Sequence, residues 1–249
     1  MDFREANKLL YKGYLYELIF IIVWAIALII GIIAVVIPVA ESMMVAQPSA
    51  GLTALLWPLV EFIVAFIVVP FFVVYLFIWI RYIFRGYIAL HKLGVGWAFW
   101  LAWGPIIGAV LAVALVGAFL AVLPSLTAHL SELPPQAQGE GPLLGVLMAF
   151  APLLILVVVL VAFGIFLDVV HILFLDNMND LTKLGKFRTA FILYIVAFML
   201  SLASYVLSMI GIIGGVVALV EYIIEMLAYR DASAAPPPTS LGQPSTPGT

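Results

Sequence analysis

Long apolar runs alternate with short polar breaks along almost the whole chain. Runs long enough to matter fall at about 17–40, 54–82, 97–123, 143–173, 187–208 and 211–229. A helix rises about 1.5 Å per residue, so roughly 20 apolar residues cover a hydrocarbon core of about 30 Å. The pattern predicts six transmembrane helices. Only "MIGIIGG" separates the last two runs. Taken as one helix, 187–229 is far too long for a single crossing, and Gly211, Gly214 and Gly215 predict a tight turn between two spans. The first run, Leu18 to Ala40, exceeds the roughly 7–15 residue core of a secretory signal, and Pro38 stands where cleavage requires a small residue. It is expected to remain as an anchor.

The polar breaks are asymmetric in charge. Arg4, Lys8 and Lys12 precede span one; Arg81, Arg85 and Lys92 lie between spans two and three; Lys183, Lys186 and Arg188 lie between four and five; Arg230 follows span six. The opposite connections, 41–53 and 124–142, hold Glu41, Glu132 and Glu140 but neither Lys nor Arg. The positive-inside rule then predicts that both termini are cytoplasmic, which an even number of spans also requires.

A weak repeat runs through the same breaks. "NKLL" (Asn7 to Leu10), "HKLG" (His91 to Gly94) and "TKLG" (Thr182 to Gly185) each precede an odd-numbered span. The expected architecture is three similar helical hairpins, all starting on one side, the first two breaking at Pro38 and Pro124 and the third at glycine. In the flanks, Phe3, Leu9, Leu10, Tyr14 and Tyr16 alternate with Arg4, Glu5, Lys8, Lys12 and Glu17, as in a helix lying along the interface before it enters the bilayer. Segments 85–96 and 176–187 are expected to repeat this, with Trp97, Trp100, Tyr82, Tyr87 and Tyr229 as anchors at headgroup level. From Asp231 the chain becomes "DASAAPPPTSLGQPSTPGT", expected to be a disordered tail. The predicted domains are therefore 1–230, the membrane domain, and 231–249, the tail.

Composition agrees with this picture: 66% of the 249 residues are hydrophobic and 9% are charged, far from a soluble chain. A net charge of −3 with no basic run excludes a nucleic-acid partner. The absence of cysteine excludes disulfides and thiolate metal sites.

Span three carries small residues at helical spacing, Gly104, Gly108 and Ala112 on one face, which predicts close packing against a neighbouring helix. Ionisable groups within the apolar runs are the candidates for chemistry, because each is costly in lipid unless paired, neutralised or wetted. Glu221 is the deepest acid, about ten residues from Gly211, and Glu225 follows one turn later. Asp168 and His171 stand near the inner end of span four, and Arg81 ends span two. The expected site is an intramembrane cluster of Arg81, Asp168, His171, Glu221 and Glu225. It is read as an ion-pair cluster, as a proton or ion pathway built on Glu221, or as a carboxylate–histidine metal site of Asp168, His171, Glu221 and Glu225. "DNMNDLTKLGKF" lacks the Gly and Glu of a calcium loop, so Asp180 or Thr182 is expected to cap the following helix. Phosphate loops, zinc motifs and nucleophile elbows are absent, and no cofactor is expected.

With its K-L breaks, three hairpins and a Pro-rich tail after "EMLAYRDAS", the chain resembles uncharacterised archaeal multipass membrane proteins, over about residues 1–230. That resemblance implies no activity and no functional residues. The expectation is an all-α polytopic protein of the cell membrane, non-enzymatic and accessory or structural in role. Lipid is the expected environment, with a homo-oligomer or a membrane protein as partner. The alternative is a transporter or channel for small ions or solutes that uses Glu221.

Overall fold

The computed structural model describes residues 1–31, 33, 69–132, 140–204 and 208–238. Among them there are helices and no strand: α1 (Phe3–Gly31), α2 (Val69–Ile78), a π-helical segment (Trp79–Phe84), α3 (Arg85–Lys92), α4 (Ala98–Glu132), α5 (Glu140–Thr182), α6 (Gly185–Ser204) and α7 (Ser208–Ala234). Six helical stretches are long and apolar enough to cross a membrane: Phe3–Gly31, Pro70–Lys92, Ala98–Phe119, Leu153–Thr182, Gly185–Ser204 and Ile210–Ala234. Pro38, Glu41, Pro58, Glu61 and the tail from 239 lie outside the described residues.

The helices are longer than the apolar runs, and this corrects the reading of the flanks. α1 is one uninterrupted helix of 29 residues, so Phe3 to Tyr14 continues span one and forms no separate interfacial helix. The reason is a single buried face, Phe3, Ala6, Asn7, Leu10, Gly13 and Tyr14, spaced at three and four residues. Segment 85–92 likewise prolongs α2 through the π segment, and 176–182 prolongs α5. α4 also passes through Pro124 to Glu132, where a break was expected. α7 continues past Arg230 to Ala234, with Ala232 buried.

The glycines of "MIGIIGG" are helical as well. α6 ends at Ser204 and α7 begins at Ser208, so Gly211, Gly214 and Gly215 lie inside a helix. Two of them serve packing: a Cβ on Gly211 would lie 3.4 Å from Ser204 Cβ, and one on Gly214 would lie 3.3 Å from Leu200 Cβ. Small residues here let α7 approach α6 closely.

The chain divides into two compact units, Met1–Leu93 with Tyr222–Thr249, and Gly94–Glu221. The first is built on a close crossing of α1 and the π–α3 region. A Cβ on Gly13 would meet Ile83 Cγ1 at 2.5 Å, and one on Gly86 would meet Leu10 Cγ at 2.6 Å and the Ala6 carbonyl oxygen at 3.2 Å. Around this crossing the buried residues Phe3, Leu10, Ile83, Tyr87, Leu90, Ala228 and Tyr229 make a core. Farther along, Phe71 packs between Phe20 and Trp24, at ring distances of 5.3 and 5.5 Å.

In the second unit most of the buried side chains come from the start of α4 (Ala98, Ala102), the end of α5 (Val170, Phe174, Met178) and the start of α6 (Phe187, Ala190). Gly104 faces the Leu167 side chain and Gly108 faces Phe163, so the small stripe of span three does admit a neighbouring helix. In each unit the core gathers at the helix ends that carry the basic residues. The remaining apolar lengths, with Ile26, Ile30, Val110, Val113, Leu154 and Ile155 exposed, present the surface a helix offers to lipid.

The K-L elements differ in structure. "NKLL" is inside α1, whereas the other two form helix–helix turns with a left-handed residue, Gly94 at φ 97° and Lys183 at φ 54°. Gly94 follows the C-cap Leu93 and removes the Cβ penalty of that conformation. In the second turn Thr182 Oγ1 donates to the Met178 carbonyl at 2.6 Å and accepts from the Leu184 N–H at 3.3 Å, which stabilises Lys183 in its strained φ.

A carboxylate ringed by tyrosines

Glu225 of α7 is 1% exposed and belongs to the first unit. Its Oε1 accepts a hydrogen bond from Tyr229 at 2.6 Å and one from Tyr14 at 3.1 Å. The Tyr87 hydroxyl lies 2.7 Å from that of Tyr14 and 3.3 Å from that of Tyr229. Each hydroxyl has one proton. With Tyr14 and Tyr229 both donating to Glu225, the oxygen of either can accept the Tyr87 proton, and the ring is internally consistent. Three segments are tied together: α1 through Tyr14, α3 through Tyr87, and α7 through Tyr229 and Glu225 itself.

A second carboxylate continues the pattern toward the apolar half of the same unit. The Tyr222 hydroxyl, with one proton to give, lies 2.9 Å from Glu17 Oε2 and 3.0 Å from the Tyr14 carbonyl oxygen, and Tyr75 of α2 also hydrogen-bonds Glu17. The Tyr14 ring stacks on Tyr222 at 4.8 Å and tilts against Tyr229 at 5.2 Å. Two acids and five tyrosines thus form one polar and aromatic seam where lone acids in oil would be costly.

This seam corrects the assignment of Tyr87 and Tyr229 as headgroup anchors, for both are buried. Part of the arrangement was legible: Tyr222 and Tyr229 stand three residues before and four after Glu225, on the same helical face, and Tyr14 stands three before Glu17. Tyr87 had no such signal, because only the crossing at Gly13 and Gly86 brings it to the ring.

Arg81, in the π segment, is exposed and makes no ion pair among the described residues. Asp168 accepts the Tyr194 hydroxyl at 2.6 Å, and the Tyr194 ring stacks flat on His171, with centroids 4.4 Å apart and planes 6° apart. Tyr194 of α6 thereby fixes both members of the D-x-x-H pair on α5, a role absent from the sequence reading. Glu221, 6% exposed, belongs to the same unit, and a carboxylate oxygen of Glu221 lies within 4.8 Å of a ring nitrogen of His171. The second unit therefore brings together Asp168, Tyr194, His171 and Glu221. His129 has no described side chain, and His91 is exposed near the end of α3.

Chemically, the first unit holds a carboxylate with one oxygen bonded by two tyrosine hydroxyls, and the second holds an acid beside an imidazole stacked on a tyrosine. The first arrangement is suited to holding helices together; the second is capable of proton exchange or of sharing a cation. Comparison with protein-family models, with curated proteins and with solved structures finds no match for this chain, so any function must be argued from these residues.

Proposed function

We propose that this protein is a non-enzymatic, accessory or structural component of the cell membrane, with its intramembrane acids serving mainly to fix helices. The observation that carries this reading is the ring at Glu225, where tyrosine hydroxyls from α1 and α7 occupy the same carboxylate oxygen. Both donors join α7 to its surroundings through one carboxylate oxygen, an arrangement suited to packing specificity. The large exposed apolar surface of both units accords with lipid contact and with association with a second copy or a membrane partner. Three hairpins with both termini cytoplasmic complete the proposal, on the strength of the ten basic residues confined to one set of breaks.

The test is purification from the native membrane in mild detergent, followed by crosslinking and mass determination. A defined homo-oligomer or a stoichiometric partner is the expected result. Recovery of a lone monomer under several mild conditions overturns it.

A second reading rests on the proximity of Glu221 and His171 in the second unit. An ion or proton carrier built on this pair would show flux in proteoliposomes that Glu221→Gln abolishes while the protein remains folded. A metal-dependent version would copurify with stoichiometric metal that His171→Ala removes. Wild-type vesicles no leakier to protons, Na⁺ and K⁺ than empty ones would leave the structural reading standing.

A further inference from the structure

The first unit contains a small cavity that neither the tyrosine seam nor the helix packing uses. It has a volume of about 270 Å³ and is lined by Met1, Phe84, Arg85, Ile88, Ala89 and Lys92. Four of these, Arg85, Ile88, Ala89 and Lys92, recur at three, four and seven residues and so form one face of α3. The face has a cation at each end and apolar residues between them. Arg85 and Lys92 are both exposed, and neither forms an ion pair among the described residues. The acids that follow Met1 in sequence are tied to each other's backbone: Asp2 Oδ1 accepts the Glu5 N–H at 2.7 Å, and Glu5 Oε2 accepts from the Asp2 nitrogen at 3.3 Å. Among its lining side chains there are therefore two positive charges and no negative one.

Its position is as informative as its charge. α2, the π segment and α3 form one helical stretch, Pro70–Lys92, and the cavity lies at its polar end. The exposed Arg81 lies just before it, and beyond Arg81 the exposed side chains Ile80 and Phe77, 49% and 64% exposed, are apolar toward the middle of the span. A ligand fitting this site has a compact anionic head and an apolar extension. The volume is below the roughly 300–1,000 Å³ of pockets that enclose a whole small ligand, so a headgroup enters and the rest stays outside. Arginine offers a planar fork matched to phosphate oxygens, and lysine adds a point charge.

We propose that the Arg85–Ile88–Ala89–Lys92 face of α3 is a binding site for the phosphate headgroup of an anionic phospholipid, its acyl chains running along α2. Basic pockets at helix ends recognise such headgroups through charge combined with shape, beyond the general attraction of a basic surface for an anionic leaflet. The second contribution separates this site from the other exposed lysines, Lys8 and Lys12.

The experiment uses the full chain in detergent, supplied with equimolar phosphatidylglycerol and phosphatidylcholine of equal chain length, with bound lipid counted by native mass spectrometry. The wild-type protein is expected to retain phosphatidylglycerol preferentially, and Arg85→Gln/Lys92→Gln to weaken that retention about tenfold or more. Lys8→Gln/Lys12→Gln removes the same charge elsewhere and is expected to change retention by less than about twofold. Unfolding of both variants is followed in parallel, and Arg85→Lys/Lys92→Arg, which keeps the charge, should retain most of the preference if the double Gln variant is unstable. Equal retention of the two lipids by the wild type, or equal losses in the two Gln variants, overturns the proposal. Displacement of the lipid by millimolar inorganic phosphate as readily as by short-chain phosphatidylglycerol would make the ion the ligand, and overturns it too.

Discussion

Glu225 shows how a residue that is expensive in isolation becomes a fixed point of the fold. Its two tyrosine donors belong to different helices or turns, so removing either loosens a contact between α7 and its surroundings. Tyr229→Phe deletes the shorter bond, and its expected cost is about 1.5–2 kcal/mol, the lower part of the range for hydrogen bonds to charged groups. Glu225→Leu is expected to cost more, about 3 kcal/mol, because it leaves two buried hydroxyls without their acceptor. Glu225→Gln keeps a carbonyl acceptor in place and should lie between wild type and Leu. Unfolding in mixed micelles gives all three values; a Leu variant as stable as wild type would show that the ring does not hold the helices. The acid pattern was visible in sequence, and so were the flanking tyrosines of α7. Their pairing was not, since Tyr14 and Tyr87 are separated from Glu225 by 211 and 138 positions along the chain.

At the scale of elements, glycine has two opposite uses here. Gly13 and Gly86 are present because the α1 and α3 backbones pass too close for side chains, and Gly86→Leu is expected to destabilise the first unit by about 3 kcal/mol or more through overpacking. Gly215 is interior to α7 with nothing within 4 Å of a Cβ, so Gly215→Ala should be stabilising by about 0.5–1 kcal/mol. Had the chain turned at "MIGIIGG", alanine there would instead be destabilising, and thermal unfolding of this one variant separates the two geometries. The glycine cluster misled the sequence reading because glycine marks both turns and close helix contacts, and only the partner surface distinguishes them. Proline misled it similarly at Pro124, which α4 contains. The interfacial reading of Phe3 to Tyr14 failed for another reason: an amphipathic face looks the same whether its apolar side meets lipid or a neighbouring helix.

For the whole molecule, the proposed topology makes a direct prediction. The chain has no cysteine, so single cysteines introduced at Lys183, Ser233 and Ser49 report orientation without background. Lys183→Cys and Ser233→Cys are expected to react with an impermeant maleimide only after the cytoplasmic face is opened, and Ser49→Cys from the other face. A different partition would revise the number of crossings or their direction. The functional reading makes the complementary prediction that wild-type proteoliposomes carry no flux lost on Glu221→Gln.

Sequence by itself determined the class of this protein: six apolar stretches, the charge asymmetry of their ends and the identity of the buried acids. These follow from composition and period, which act locally and need no partner. Only the tertiary structure decided what the acids touch, which tyrosines are buried and where the chain bends. In a bilayer the exterior of a bundle is as apolar as its interior, so hydropathy does not tell the packed face of a helix from the lipid face. Buried hydrogen bonds and close glycine contacts make that distinction, and both arise from residues far apart in the chain.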